Sequence, residues 1–289
     1  MIARARAVLE DTAPARLDMR GRYTAFRVLH ADGSSGCCLR GLTKCLAENV
    51  FSAAKLPWSS WSSADTQAWC RGSCASSDAP RARGVGRKRG RLVDQKITCL
   101  VNSDTGGTKR GPVRGASRKA SRKASRKASQ PAGSLAHFAI DAMASMGLRP
   151  VVAQRAVADV SRRLGTAVDL IAVNESNELV VVEVKCGYST KRHQAALLRG
   201  VPQRLQAPLS RVDDCAYARH MSQLAATLAM FTAERATMVR LAECGVSVRA
   251  CGSDVRGALV YVAADAVERT DMPKWWRSRA HQVLAVCAA

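Results

Sequence analysis

The chain has 289 residues and 31.0 kDa, room for one or two domains, and its 47% apolar content excludes a wholly disordered protein. Lys and Arg outnumber Asp and Glu 45 to 23, giving a net charge of +22 and an isoelectric point near 10.3. That balance points to polyanionic partners, nucleic acid first among them.

Residues 1–80 are rich in Ser, Ala, Gly and Cys and lack sustained periodicity, which predicts a low-complexity, mostly disordered segment. The Arg-rich start has the basic content of an organelle transit peptide, but Glu10, Asp11 and Asp18 count against organelle import. Eleven scattered cysteines with no signal peptide before them fit a reducing, intracellular setting. Cys37, Cys38, Cys45, Cys70 and Cys74 form no CxxC pair and have no His at finger spacing, so incidental thiols are favoured over zinc. No apolar run reaches the roughly 18 to 20 residues that cross a bilayer, so no membrane span is expected.

Residues 81–130 form a basic linker. From Arg81 to Lys127 there are 16 basic residues against Asp94 and Asp104, so this stretch carries +14 of the total charge. The run RARGVGRKRGR (81–91) is expected to stay solvated and could lie on phosphates or act as a nuclear-import signal. LVDQKITCLV (92–101) reads as a strand or short helix, and ASRKASRKASRKAS (116–129) as a linker built on a four-residue SRKA repeat.

Residues 131–265 have the patterning of a folded domain. Ser134 is placed to cap a helix over 135–146, with Leu135, Phe138, Ala139, Ala142, Met143 and Met146 on one stripe and Gly147 ending it. Strands are predicted at 151–160, 167–173 and 179–185, the last two joined by the polar turn NESNE as a hairpin. A basic loop (186–211), a helix (216–234) and a strand (258–263) follow, and residues 266–289 are read as a C-terminal tail. The expected fold is α/β, a mixed central sheet flanked by helices with an αβββαβ order.

Alternation along LVVVEVK puts Glu183 and Lys185 on one face of a strand otherwise apolar enough to be buried on both. A carboxylate and an ammonium there are costly unless they bind something. Hairpin pairing can bring Asp169 of AVDLIAV beside Glu183, and two convergent carboxylates favour a divalent cation. Few, hard oxygen ligands suit Mg²⁺ or Mn²⁺ better than zinc. The competing interpretation is an ordinary salt bridge at a strand end. A second triplet, Asp94-Gln95-Lys96, has an upstream partner only in Asp78, within the loop sequence SSDAP, and reads as a decoy.

Asp169, thirteen intervening residues and then Glu183-Val184-Lys185 at the end of a hydrophobic strand resemble the metal site of the PD-(D/E)xK nuclease superfamily, which has a restriction-endonuclease-like fold. The resemblance implies that Asp169, Glu183 and the Val184 carbonyl hold a metal ion, that Lys185 is the catalytic lysine, and that Gln223 on the later helix approaches the site. It implies a metal-dependent hydrolase of phosphodiesters in DNA; the alternative is a non-catalytic nucleic-acid-binding or regulatory protein that keeps the fold. The departure is Val168, which stands where the name-giving proline would be. His137 and Asp141 could add a ligand or be a solvated pair, Tyr188 could stack a base or pack in the core, and Trp275-Trp276 could anchor a tail or touch nucleic acid.

Overall fold

The computed structural model describes residues 1–13, 25–29, 35–51, 79–103, 132–186, 204–249, 251–263 and 266–288. The SRKA repeat, Cys70, Cys74, the loop from 187 to 203 and Tyr188 within it lie outside the described residues. In chain order the elements are α1 (Ile2–Asp11), β1 (Ala25–Leu29), β2 (Ser35–Gly41), α2 (Leu42–Asn49), α3 (Ala79–Ser103), α4 (Ala132–Ser145), β3 (Arg149–Asp159) and β4 (Leu164–Val173). Then come β5 (Leu179–Cys186), α5 (Ala216–Thr232), α6 (Arg235–Glu243), β6 (Arg256–Val262), β7 (Val267–Asp271) and α7 (Lys274–Ala288).

The strands make one mixed seven-stranded sheet in the order β1-β2-β4-β5-β6-β7, with β3 also paired to β4. β3, β4 and β5 form an antiparallel meander, and β6 returns parallel to β5 after α5 and α6. The order helix, three strands, helix, strand expected from the sequence is therefore present.

Two apolar layers cover the sheet. Val93, Ile97 and Val101 of α3, spaced i, i+4 and i+8, join Leu135, Ala139 and Met143 of α4 against Leu170, Ala172, Val180, Val182 and Val184. On the other face α1, α2, α5, α6 and α7 pack against Val168, Ile171, Leu179, Val181, Leu259 and Tyr261. Gly147 closes α4 at φ +72°, and the Leu148 amide behind it donates to the Met143 carbonyl, the arrangement that lets a helix stop within one residue. Among the described residues no helix is long and apolar enough to cross a membrane.

Three expectations need correction. Segment 1–80, read as mostly disordered, contains α1 and α2, which bury Ala5, Val8, Leu9, Leu42, Cys45 and Leu46 in the core. The linker assigned to 81–130 includes the whole second half of α3. The C-terminal tail is β7 and α7, and α7 is anchored by Trp276, Ala280, Val283, Leu284 and Cys287. Buried Trp276 ties the last helix to the core, while exposed Trp275 stacks on it with ring centroids 4.4 Å apart.

Arg155 shows why α1 belongs to the fold. Its guanidinium, fully buried, donates to the Leu9 carbonyl at 2.9 Å, to the Thr12 carbonyl at 3.2 Å and to Glu234 at 2.7 and 3.2 Å, and lies over the Phe231 ring. Leaving such a charge without its partners costs far more than an exposed ion pair contributes. Arg155→Ala strands the Glu234 carboxylate and should therefore destabilise the protein by about 3–5 kcal/mol, read by urea denaturation. A loss under about 1 kcal/mol, the size of an exposed pair, would show that Arg155 does not hold α1 in place.

Candidate active site

The site forms where the sheet forks. β3 runs along one edge of β4 for its whole length, while β2 and β5 share the other: β2 pairs at Leu164 and Gly165, and β5 only from Leu170 to Val173. Between them, the edge of β4 from Thr166 to Asp169 has no strand partner among the described residues. β5 passes this gap with Glu183, Val184 and Lys185 still in register with Leu259, Val260 and Tyr261 of β6.

Asp169 fills the gap with its side chain. Its Oδ2 accepts from the Val184 amide at 3.0 Å, where a ladder carbonyl would otherwise be, and its Oδ1 accepts from Gln154 Nε2 at 3.3 Å. The carboxylate can lie toward β5 because both strands change faces here. Leu170 and Ala172 belong to the α3–α4 layer and Val168 to the opposite one, and across from them Ala153 faces α3 while Arg155 reaches α1 and Glu234. At the crossing point Gln154 has φ +54°, left-handed backbone in mid-strand. For a residue with a Cβ this conformation costs about 1–2 kcal/mol.

Glu183 is buried and forms an ion pair with the half-buried Lys185. Burial, and then the Asp169 charge, hold the Glu183 carboxyl well above the usual carboxylate range. For Lys185, burial opposes the charge, but Glu183 and then Asp169 outweigh it and keep the ammonium protonated beyond its ordinary range.

A fourth group joins them from α3. Asp94 sits next to Val93 on the buried side of the helix; burial, and then the Asp169 charge, push its carboxyl up to about 7, against the lowering effects of Lys185 and the Cys186 thiol. The Cys186 Sγ lies 3.9 Å from Asp94 Oδ1. The triplet 94–96 that read as a decoy thus contributes its acid to the site it was contrasted with. Spacing to an upstream acid could not reveal this, because Asp94 approaches from a separate helix. Gln154 was equally missed.

Three carboxyl groups therefore interact around one ammonium, and the mutual repulsion that helps raise two of them is what a divalent cation would relieve. Among the described residues no group of three His, Cys, Asp or Glu side chains is disposed to hold a metal ion. The donor set that fits is Asp169 with Glu183, completed by water, as Mg²⁺ accepts. The Val184 peptide enters the site through its N–H.

Gln223 is half-buried on α5 and, among the described residues, makes no hydrogen bond to Asp169, Glu183 or Lys185. On the same helix, His220 Nδ1 lies 3.3 Å from the hydroxyl of Tyr261, the β6 residue in register with Lys185. On α4, His137 is half-buried and Asp141 exposed. Compared with known proteins, the chain matches no protein-family model and no curated protein.

The raised Asp94 carboxyl gives a pH signature. Its folded value of about 7 exceeds the ordinary 3.8, so the folded state holds a proton that the unfolded chain has released, and stability falls as pH rises between about 4 and 7. Asp94→Asn should flatten that part of the stability curve in urea denaturation at a series of pH values. The same slope in both proteins would show that Asp94 ionises freely.

Proposed function

We propose that this protein is a metal-dependent nuclease of the PD-(D/E)xK type, with a restriction-endonuclease-like core, acting on phosphodiester bonds in DNA. The observation that carries the reading is the meeting of Asp169, Glu183 and Lys185 at the fork between β4 and β5. The order of strands and helices around it supports the same reading.

Each residue has a task that its surroundings favour. Asp169 and Glu183 would hold Mg²⁺ or Mn²⁺, which supplies Lewis acidity and a more acidic water at neutral pH. Lys185, kept protonated by its acidic neighbours, offsets negative charge building on the phosphoryl oxygens in the transition state. The Val184 amide fixes Asp169 so that little reorganisation is needed. The basic residues between 81 and 127 provide affinity for phosphates without reading sequence. The same segment would serve as a nuclear-import signal in an intracellular protein.

One observation favours the rival reading, a non-catalytic nucleic-acid-binding protein: Lys185 already closes an ion pair on Glu183, as in a structural salt bridge. Cleavage separates the two. With Mg²⁺ present, Asp169→Ala, Glu183→Ala and Lys185→Ala should each lower the cleavage rate of linear and circular DNA by roughly a hundredfold or more. DNA binding should persist in all three, because the affinity comes from Arg and Lys elsewhere, and EDTA should stop the wild type. DNA binding without Mg²⁺-dependent cleavage by the wild type would establish the rival.

A further inference from the structure

The one residue forced into left-handed backbone inside a strand of the site is Gln154, and nothing about glutamine favours that conformation. Among the described residues the other two non-glycine residues with positive φ, Arg163 and Asn177, sit in the β3–β4 and β4–β5 turns, where chain reversal explains them. At Gln154 no reversal occurs. The register on either side is continuous, Ala153 opposite Leu170 and Arg155 opposite Val168, so the strands stay paired while both change faces.

Both flanks of the crossing are secured from outside the sheet. Asn102 of α3 bonds both polar groups of the Ala153 peptide, accepting from its amide at 3.0 Å and donating to its carbonyl at 3.2 Å. Arg155, one residue beyond Gln154, is locked to α1 and Glu234. The conformation of residue 154 is therefore imposed by its neighbours, and glycine would satisfy it with less strain. What glutamine adds is its amide, which reaches Asp169 Oδ1 while Val184 holds Oδ2.

We infer that Gln154 is a positioning residue: its side-chain amide, aimed by the left-handed crossing of β3, fixes the Asp169 carboxylate in the gap against the Val184 amide. This gives β3 a part in the site beyond its place in the sheet. The inference rests on Asp169 belonging to the proposed active site, but it concerns the resting protein, and its test needs neither metal nor substrate.

The test is Gln154→Gly, which keeps the backbone conformation and removes the amide, with Gln154→Asn as a second variant that tolerates left-handed backbone but reaches one carbon less. The melting temperature should be unchanged or higher in the glycine variant. Amide hydrogen exchange, read residue by residue by NMR, should be roughly five- to tenfold faster at Val184 in both variants, the loosening expected when a hydrogen-bonded acceptor loses its anchor. The β5 amides of Val180 and Val182, in the stretch paired with β4, should keep their wild-type rates. Unchanged exchange at Val184 would overturn the inference. So would equal loss of protection along all of β5, or unfolding of both variants, since either makes Gln154 a support of the fold and not of Asp169. A wild type with no nuclease activity but with this exchange pattern would sink the proposed function and leave Gln154 in its role.

Discussion

Asp169 does the work of a backbone carbonyl. In the gap where, among the described residues, β4 has no strand on one edge, its carboxylate accepts the Val184 amide that a ladder would otherwise pair. A buried amide left unpaired costs about 1–3 kcal/mol, so β5 can diverge from β4 only if something takes that bond. Once the carboxylate takes it, Glu183 and Lys185 follow on β5, and the negative charge of Asp169 acts on both. The site is thus a consequence of how the sheet forks.

The helices around the fork hold it in shape. α3 contributes Asp94 to the acidic cluster and Asn102 to the edge of β3, eight residues apart on one helix. From the other layer, Arg155 grips the end of α1 and Glu234, and Arg6 of α1 returns a bond to the Val151 carbonyl at 2.7 Å. Edge strands need such cover, and here β3 receives it from segments far away in sequence.

Much of this was legible because the period of the apolar residues carries it. LVVVEVK and AVDLIAV signal buried strands, the stripe from Leu135 to Met146 signals α4, and the turn between the two strands places Asp169 beside Glu183. α1 was not legible. Its stripe is only Ala5, Val8 and Leu9, interleaved with arginines, and its stability comes from tertiary bonds that no local pattern announces. Asp94 is not legible for a related reason, since its role depends on which face of α3 meets the sheet. The crossing at Gln154 left no trace: in VVAQRAVA, Val152 keeps step with Ala156 and Ala158, and Val151 and Ala153 with Val157, as in an unbroken strand. Only the structure shows that the strand changes step there, Ala153 facing the α3–α4 layer and Val157, four residues on, the opposite one.

The central claim is that the charge gathered at the fork serves a cation. Titration of the metal-free protein with Mn²⁺, followed by electron paramagnetic resonance, tests it without any assumption about substrate. The account predicts a site in the wild type whose affinity drops by at least about 100-fold in Glu183→Gln, because a ligand lost outright should cost no less than a disturbed supporting group. Equal Mn²⁺ binding by the two proteins, or none by the wild type, would contradict it and leave Asp169, Glu183 and Lys185 as a structural ion cluster.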